Sequence, residues 1–164
     1  MQRFRSGDDG RHGIMAASLQ KKVARSRSMA EDRSEFSESM LGKISSGDAF
    51  AKLTGTNLLE LQPGFARAAL KVTENTVNVH DMAHGGAIFT LADLACEAAS
   101  NSYGKTAIAI QTNIHFLAAG RCGDLLTATA KMTSRTESFG MIDFEITNKA
   151  GRLLSKGQQT VIFK

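Results

Sequence analysis

Asn78, His84, the glycine pair Gly85-Gly86 and the carboxylates Asp93 and Glu97 lie close together in the sequence, and they could join stabilisation of an oxyanion to a carboxylate. From 87 to 99 only Thr90, Asp93 and Glu97 are not apolar, which predicts a helix buried on nearly all sides. Those three exceptions follow a 3.6-residue period and share one stripe. The glycines lack Cβ, so a substrate can approach the backbone closely where they open the helix. The N–H groups of a first helical turn have no partner within the helix, and with the dipole behind them they can stabilise an oxyanion. One helix therefore offers an oxyanion donor and, eight residues later, a carboxylate. Equally, Asp93 and Glu97 could simply face solvent along one edge of a core helix.

The elements that would position these residues follow from periodicity. Phe36, Met40, Leu41 and Ile44, then Phe50 and Leu53, recur at helical intervals, broken at Ser45-Ser46-Gly47, and Asp48 suits the cap of the shorter second helix. Strands are expected at 58–61 and 65–72, joined through Gln62-Pro63-Gly64, whose order suits a type II turn. A polar loop at 73–83 delivers Asn78, His80 and Asp81 to the main helix, either as a site loop or as a solvated connection. Gly104 is placed to terminate that helix at the position after its cap. Strands at 107–117, 125–133, 139–147 and 153–163 are expected to form a four-stranded antiparallel meander. Ile142, Phe144 and Ile146 alternating with Asp143, Glu145 and Thr147 give its clearest period of two. The fold class is α+β, an antiparallel sheet wrapped around one long buried helix.

His-Gly-Gly followed by Asp93 in a buried helix, with Asn78 six residues before His84, resembles the hotdog-fold acyl-CoA thioesterases of the PaaI type. The likeness runs from about Asp48 to Phe163 and includes Gly123-Asp124-Leu125-Leu126-Thr127-Ala128-Thr129-Ala130. It implies the hotdog fold and the hydrolysis of an acyl-CoA to a free acid and CoA. Asp93 would then be the nucleophile or the general base, and Gly85 N–H the oxyanion donor. Asn78 would bind the attacking water or the thioester oxygen, and His84 would orient the helix start. Gly86, Thr90 and Arg121 are the candidate substrate-binding residues, with Lys131 and Arg135 as further cations for the CoA phosphates. Some relatives carry a hydroxyl on the strand after the helix, but Ala109 or Ile110 falls there and nearby Thr112 receives no role. The alternative reading is a catalytically inactive acyl-CoA-binding hotdog protein.

Geometry also bears on the number of chains. On one helix Gly85 and Asp93 differ in height by about 12 Å, too far to serve one carbonyl together. A second copy running antiparallel under two-fold symmetry would bring each Gly85 toward the other chain's Asp93. The family likewise implies sites at a dimer interface, in a homodimer or a dimer of such dimers.

The 164 residues suit one ordinary domain, here 36–164, and no apolar run reaches the roughly 20 residues that cross a bilayer. Eight basic and five acidic side chains fall in residues 1–35, so most of the net charge of +4 belongs to that tail. Rich in Ser, Arg, Gly and Asp, without aliphatic periodicity, the tail reads as disordered. Its acidic residues argue against a transit peptide, and Phe4 as its one early aromatic argues against a nucleic-acid arm. Cys96 and Cys122 form neither a disulfide framework nor a zinc motif, which suits a reducing, cytoplasmic setting. The four histidines lack metal-ligand spacing, so neither metal nor cofactor is expected, and neither nucleic acid nor membrane as partner.

Overall fold

The computed structural model describes residues 20–23, 39, 42–44 and 47–164. The chain divides into two units, Met1–Glu35 and Phe36–Lys164, and the second holds every element described below. The first contributes only the exposed helical residues 20–23, and the remainder of the tail reading lies outside the described residues.

Helix α1 (Ala49–Thr54) starts at Asp48, whose Oδ1 accepts hydrogen bonds from Phe50 N and Ala51 N, both at 2.9 Å. Gly47 is itself helical and the chain leaves the helical range at Asp48, where a ψ of 99° forms the cap, while Ser45 and Ser46 of the expected break lie outside the described residues. Strands β1 (Thr56–Gln62) and β2 (Phe65–Lys71) make a hairpin turning through Gly64, which takes a φ of 72°. Helix α2 (Gly85–Asn101) follows the loop, then β3 (Ala107–Phe116), β4 (Leu125–Arg135), β5 (Phe139–Asn148) and β6 (Leu153–Phe163). The six strands form one antiparallel sheet in the order β1-β2-β4-β5-β6-β3, and α2 lies across its face, chiefly on β2, β4 and β5.

The four-stranded meander expected from sequence is corrected at one position. β4, β5 and β6 do pair in succession, but β3 sits at the far edge beside β6. β4 cannot take β3 as a neighbour because its other edge is occupied by β2, from Phe65↔Lys131 to Lys71↔Leu125. The chain therefore recrosses after β3, anchored where Leu117 N and Ala118 N both donate to Leu154 O.

Alanines make the helix–sheet contact close. Ala92, Ala95, Ala98 and Ala99 of α2 and Ala66, Ala68, Ala128 and Ala130 of the sheet are fully buried, with Leu70, Leu91, Leu126, Ile142, Phe144 and Ile146 filling the space around them. At the far end of α2, Ser102 Oγ accepts from Gly64 N, tying the helix to the β1–β2 turn. Ser102 is the helix cap and Gly104 carries the positive φ of 82°, one residue later than expected. The helix is also less enclosed than its composition suggests. Phe89 is 38% exposed, Thr90 and Asp93 are half-buried, and Glu97 is open. Its polar stripe is only partly covered, with Asp93 reached from the sheet by Gln159 of β6.

Candidate active site

The loop before α2 is shaped by Asn78. Its Oδ1 accepts from His80 N (2.9 Å) and Met82 N (3.3 Å), while its backbone N donates to Met82 O (2.7 Å). Asp81 inside this turn takes a φ of 55°. The amide Nδ2 of Asn78 has no partner among the described residues and remains a free donor. His84 is the N-cap of α2, with Nδ1 accepting from Gly86 N at 2.9 Å. An accepting Nδ1 carries no proton, so this contact fixes the imidazole as a structural acceptor. It also engages the Gly86 N–H and leaves Gly85 N–H as the unpartnered donor of the pair. Thr90 Oγ1 donates back to Gly86 O at 2.9 Å, so its hydrogen is likewise held inside the helix.

Asn78, Gly85 and Ile88 line one cleft with Met82, Phe116 and Leu117, of about 460 Å³. Glycine at 85 keeps this cleft open, since a Cβ there would stand 3.4 Å from the Phe116 ring. Met82 bridges to Arg121, which brings the exposed Arg121 turn to the same loop. Asp124 Oδ2 closes that turn by accepting from Arg121 N at 2.8 Å, and the Arg121 guanidinium has no partner among the described residues.

Asp93 opens into a different cleft, of about 290 Å³, shared with Glu97, Ser100, Ile108, Ala109 and Gln159. Its Oδ1 accepts from Gln159 Nε2 at 2.7 Å, and the same nitrogen donates to Thr112 Oγ1 at 3.0 Å. Asp93 Oδ2 has no partner among the described residues. Glu97, one turn further, has its carboxyl raised above the usual range, first by partial burial against the protein and then by the charges of Asp93 and Asp48, although the side chain keeps solvent access. One chain therefore holds the free Gly85 N–H and the Asp93 carboxylate in separate clefts.

The thioesterase superfamily profile matches residues 80–155. Over 102 residues the chain is 41% identical to the acyl-coenzyme A thioesterase PaaI of Escherichia coli K12, a stretch that spans 62% of this chain and 73% of that protein. The chain belongs to the thioesterase superfamily. Its PaaI-type likeness and hotdog architecture agree with the solved E. coli PaaI protein, which superposes with a TM-score of 0.75 at 32% identity, covering 83% of this chain and 96% of that one. A second superfamily structure is a thioesterase protein of Streptococcus pneumoniae TIGR4 solved with coenzyme A. It gives a TM-score of 0.64 at 28% identity over 66% of this chain and 88% of that one.

Within this superfamily framework the sequence-level candidates fall into two groups. Asn78, His84, Gly85, Gly86 and Arg121 gather around the start of α2, whereas Asp93 stands apart with Glu97. Arg135 lies at the opposite end of β4 from the Arg121 turn, about 35 Å along an extended strand, and stacks over Tyr103 (4.3 Å to the ring centroid) and Phe163 (5.1 Å). It cannot share a ligand phosphate with Arg121 of the same protomer. Lys131, exposed in the middle of β4, is in neither cleft. Gln159 is the residue that motif reasoning passed over. Counting back by two from Phe163 and Val161, both buried, places it on the inward face of β6 and could have found it. No group of three His, Cys, Asp or Glu side chains that could hold a metal occurs among the described residues, and no helix among them is long and apolar enough to cross a membrane.

Proposed function

We propose that this protein hydrolyses an acyl-CoA thioester to a carboxylic acid and CoA, at two sites formed between the protomers of a homodimer. The observation that carries the reading is the division of α2. Its first residue presents a free N–H in one cleft, and its eighth residue beyond presents a carboxylate with a free oxygen in another. A second α2 running antiparallel brings the two together. Gly85 N–H, with Asn78 Nδ2 beside it, accepts the charge that develops on the thioester oxygen. Asp93 promotes attack, either directly as the nucleophile or by taking a proton from water. By the water route the water oxygen bonds the acyl carbon, Asp93 takes its proton, the C–S bond breaks and the thiolate of CoA receives that proton. By the direct route a carboxylate oxygen of Asp93 bonds the acyl carbon as the C–S bond breaks, and water then cleaves the resulting anhydride to the free acid, restoring Asp93 and supplying the proton to the thiolate. His84 holds the helix start in register, and Arg121 pairs with CoA phosphate.

The surface of β3 supports the two-chain arrangement. Ile110 and Phe116 are 56% and 55% exposed on a strand whose outer edge has no strand partner among the described residues. An apolar, unpaired edge of this kind is the surface a second copy would cover.

The test is release of free CoA, followed chromatographically across a panel of aromatic and aliphatic acyl-CoAs, for wild type and Asp93→Asn. The variant keeps shape and removes the charge, so turnover should vanish while the assembly and its Tm hold. Survival of more than about a tenth of wild-type turnover, a loss under roughly 1.4 kcal/mol, would overturn the role of Asp93. Tight acyl-CoA binding by the wild type with no release of CoA would instead favour a binding protein.

A further inference from the structure

Gln159 is 1% exposed, and its side chain is the one described group that hydrogen-bonds the Asp93 carboxylate. A buried primary amide has two donor hydrogens, and both are in use here. One goes to Asp93 Oδ1 and the other to Thr112 Oγ1 on the neighbouring strand. The register makes this possible, because Gln159 and Thr112 are directly paired across β6 and β3. The amide is therefore fixed by the sheet before it reaches the helix.

Resting on the reading of Asp93 given above, we propose that Gln159 is a positioning residue for the reaction. It pins Oδ1 of Asp93 so that Oδ2, the oxygen without a partner, is presented to the acyl carbon or to its attacking water. A neutral amide suits this role better than Lys or Arg would. It orients the carboxylate by hydrogen bonding while leaving the full negative charge available for attack. Thr112 acts one step further back, holding the amide in the rotamer that reaches α2. The carboxylate on a helix is thus aimed by two strands that are adjacent only in the folded sheet.

Gln159→Met keeps the length of the side chain and removes both donors. It should lower kcat on the order of tenfold to a hundredfold, with KM within about twofold, because the substrate still binds but the carboxylate is no longer aimed. Losing a hydrogen bond to the ionised carboxylate also favours its protonation, so the acid limb of the kcat–pH profile should move to higher pH. Gln159→Glu places a second carboxylate against the first and should move that limb further. The profiles are measured in a Glu97→Gln background, which leaves Asp93 as the one carboxylate lining its cleft. Thr112→Val, with Gln159 in place, should give a smaller kcat loss of the same sign, and it decides the matter if the Met variant does not fold. Wild-type kcat and an unmoved acid limb in the folded Met variant, or in Thr112→Val if that variant must stand in, would overturn the proposal. Asp93→Asn is run alongside. If it is inactive while the Gln159 and Thr112 variants behave as wild type, only the positioning role fails, and if it remains active the reading of Asp93 fails and takes this proposal with it.

Discussion

Gly85 and Asp93 stand eight residues apart on one helix and open into two different clefts. Mixed dimers test whether they meet across an interface. Gly85→Pro deletes the N–H while leaving a residue that the first helical position tolerates, and His84 already has the extended backbone that precedes proline, with φ −63° and ψ 137°. Asp93→Ala deletes the carboxylate. Each variant alone should be inactive, yet co-refolding them should restore up to about a quarter of wild-type activity per chain, because half the dimers are mixed and one site in each is whole. Zero activity, with mixed dimers demonstrated by mass, would place both residues in one chain's site or remove Gly85 as the donor.

Glu97 makes stability fall as pH rises. Its carboxyl is raised in the native protein above the ordinary value of 4.5, so between the unfolded and folded values the native state binds the extra proton. The stabilisation is complete below the unfolded value and is lost as pH climbs through the folded one. Urea midpoints across mildly acidic pH should therefore show a downward component that Glu97→Gln lacks. Identical slopes for the two proteins would refute it.

The two thiols should behave differently. Burial pushes the Cys96 thiol far above its usual range, with Asp93 and then Asp143 adding to the shift, whereas Cys122 is exposed. A thiol-specific chromophoric reagent should modify one cysteine per native chain quickly and the second only on denaturation. Cys122→Ser should abolish the fast phase, and two fast thiols in wild type would contradict the buried placement of Cys96.

Gly157 admits no side chain. A Cβ there would lie 2.0 Å from Asn113 O and 2.6 Å from Phe144 Cζ, and a backbone oxygen held in the sheet cannot step aside. Gly157→Ala should destabilise by on the order of 2–3 kcal/mol, lowering Tm by roughly 5–10 °C. A melting curve within 2 °C of wild type, about 1 kcal/mol or less, would show that β3 and β6 can separate locally at small cost.

The legible parts of the sequence were those governed by local periodicity. Ile142, Phe144 and Ile146 alternate cleanly because β5 is central in the sheet and buried on one face, and Asp48 announces α1 because its cap bonds reach only two and three residues. The place of β3 was not legible in this way. Its pairing partners lie far along the chain, and its run of apolar residues followed by Gln111, Thr112 and Asn113 carries no sign of which strand it joins. Asn78, His84, Gly85 and Asp93 stood out as a motif, and the structure adds what the motif lacked: which N–H groups are already engaged. Gln159 is set apart from the chemically identical Gln158 beside it only by the count of two back from Val161 and Phe163, which carries no motif of its own. Gln158 instead bonds Asp143 at 2.7 Å.

The edge position of β3 also sets an order of events during synthesis. Among the described residues its one strand partner is β6, and the pairs run from Phe116↔Ser155 to Ala107↔Phe163. While the chain is being made, β1, β2, β4 and β5 can pair and receive α2 before β6 has left the ribosome, but β3 cannot join them. Until this eleven-residue strand emerges, Ile108, Ile110 and Phe116 have no place in the sheet, and Asp93 has neither Gln159 to hold it nor Thr112 behind it. The aiming of the carboxylate proposed above thus waits for β6, and a nascent chain that stalls or is clipped short of that strand lacks it.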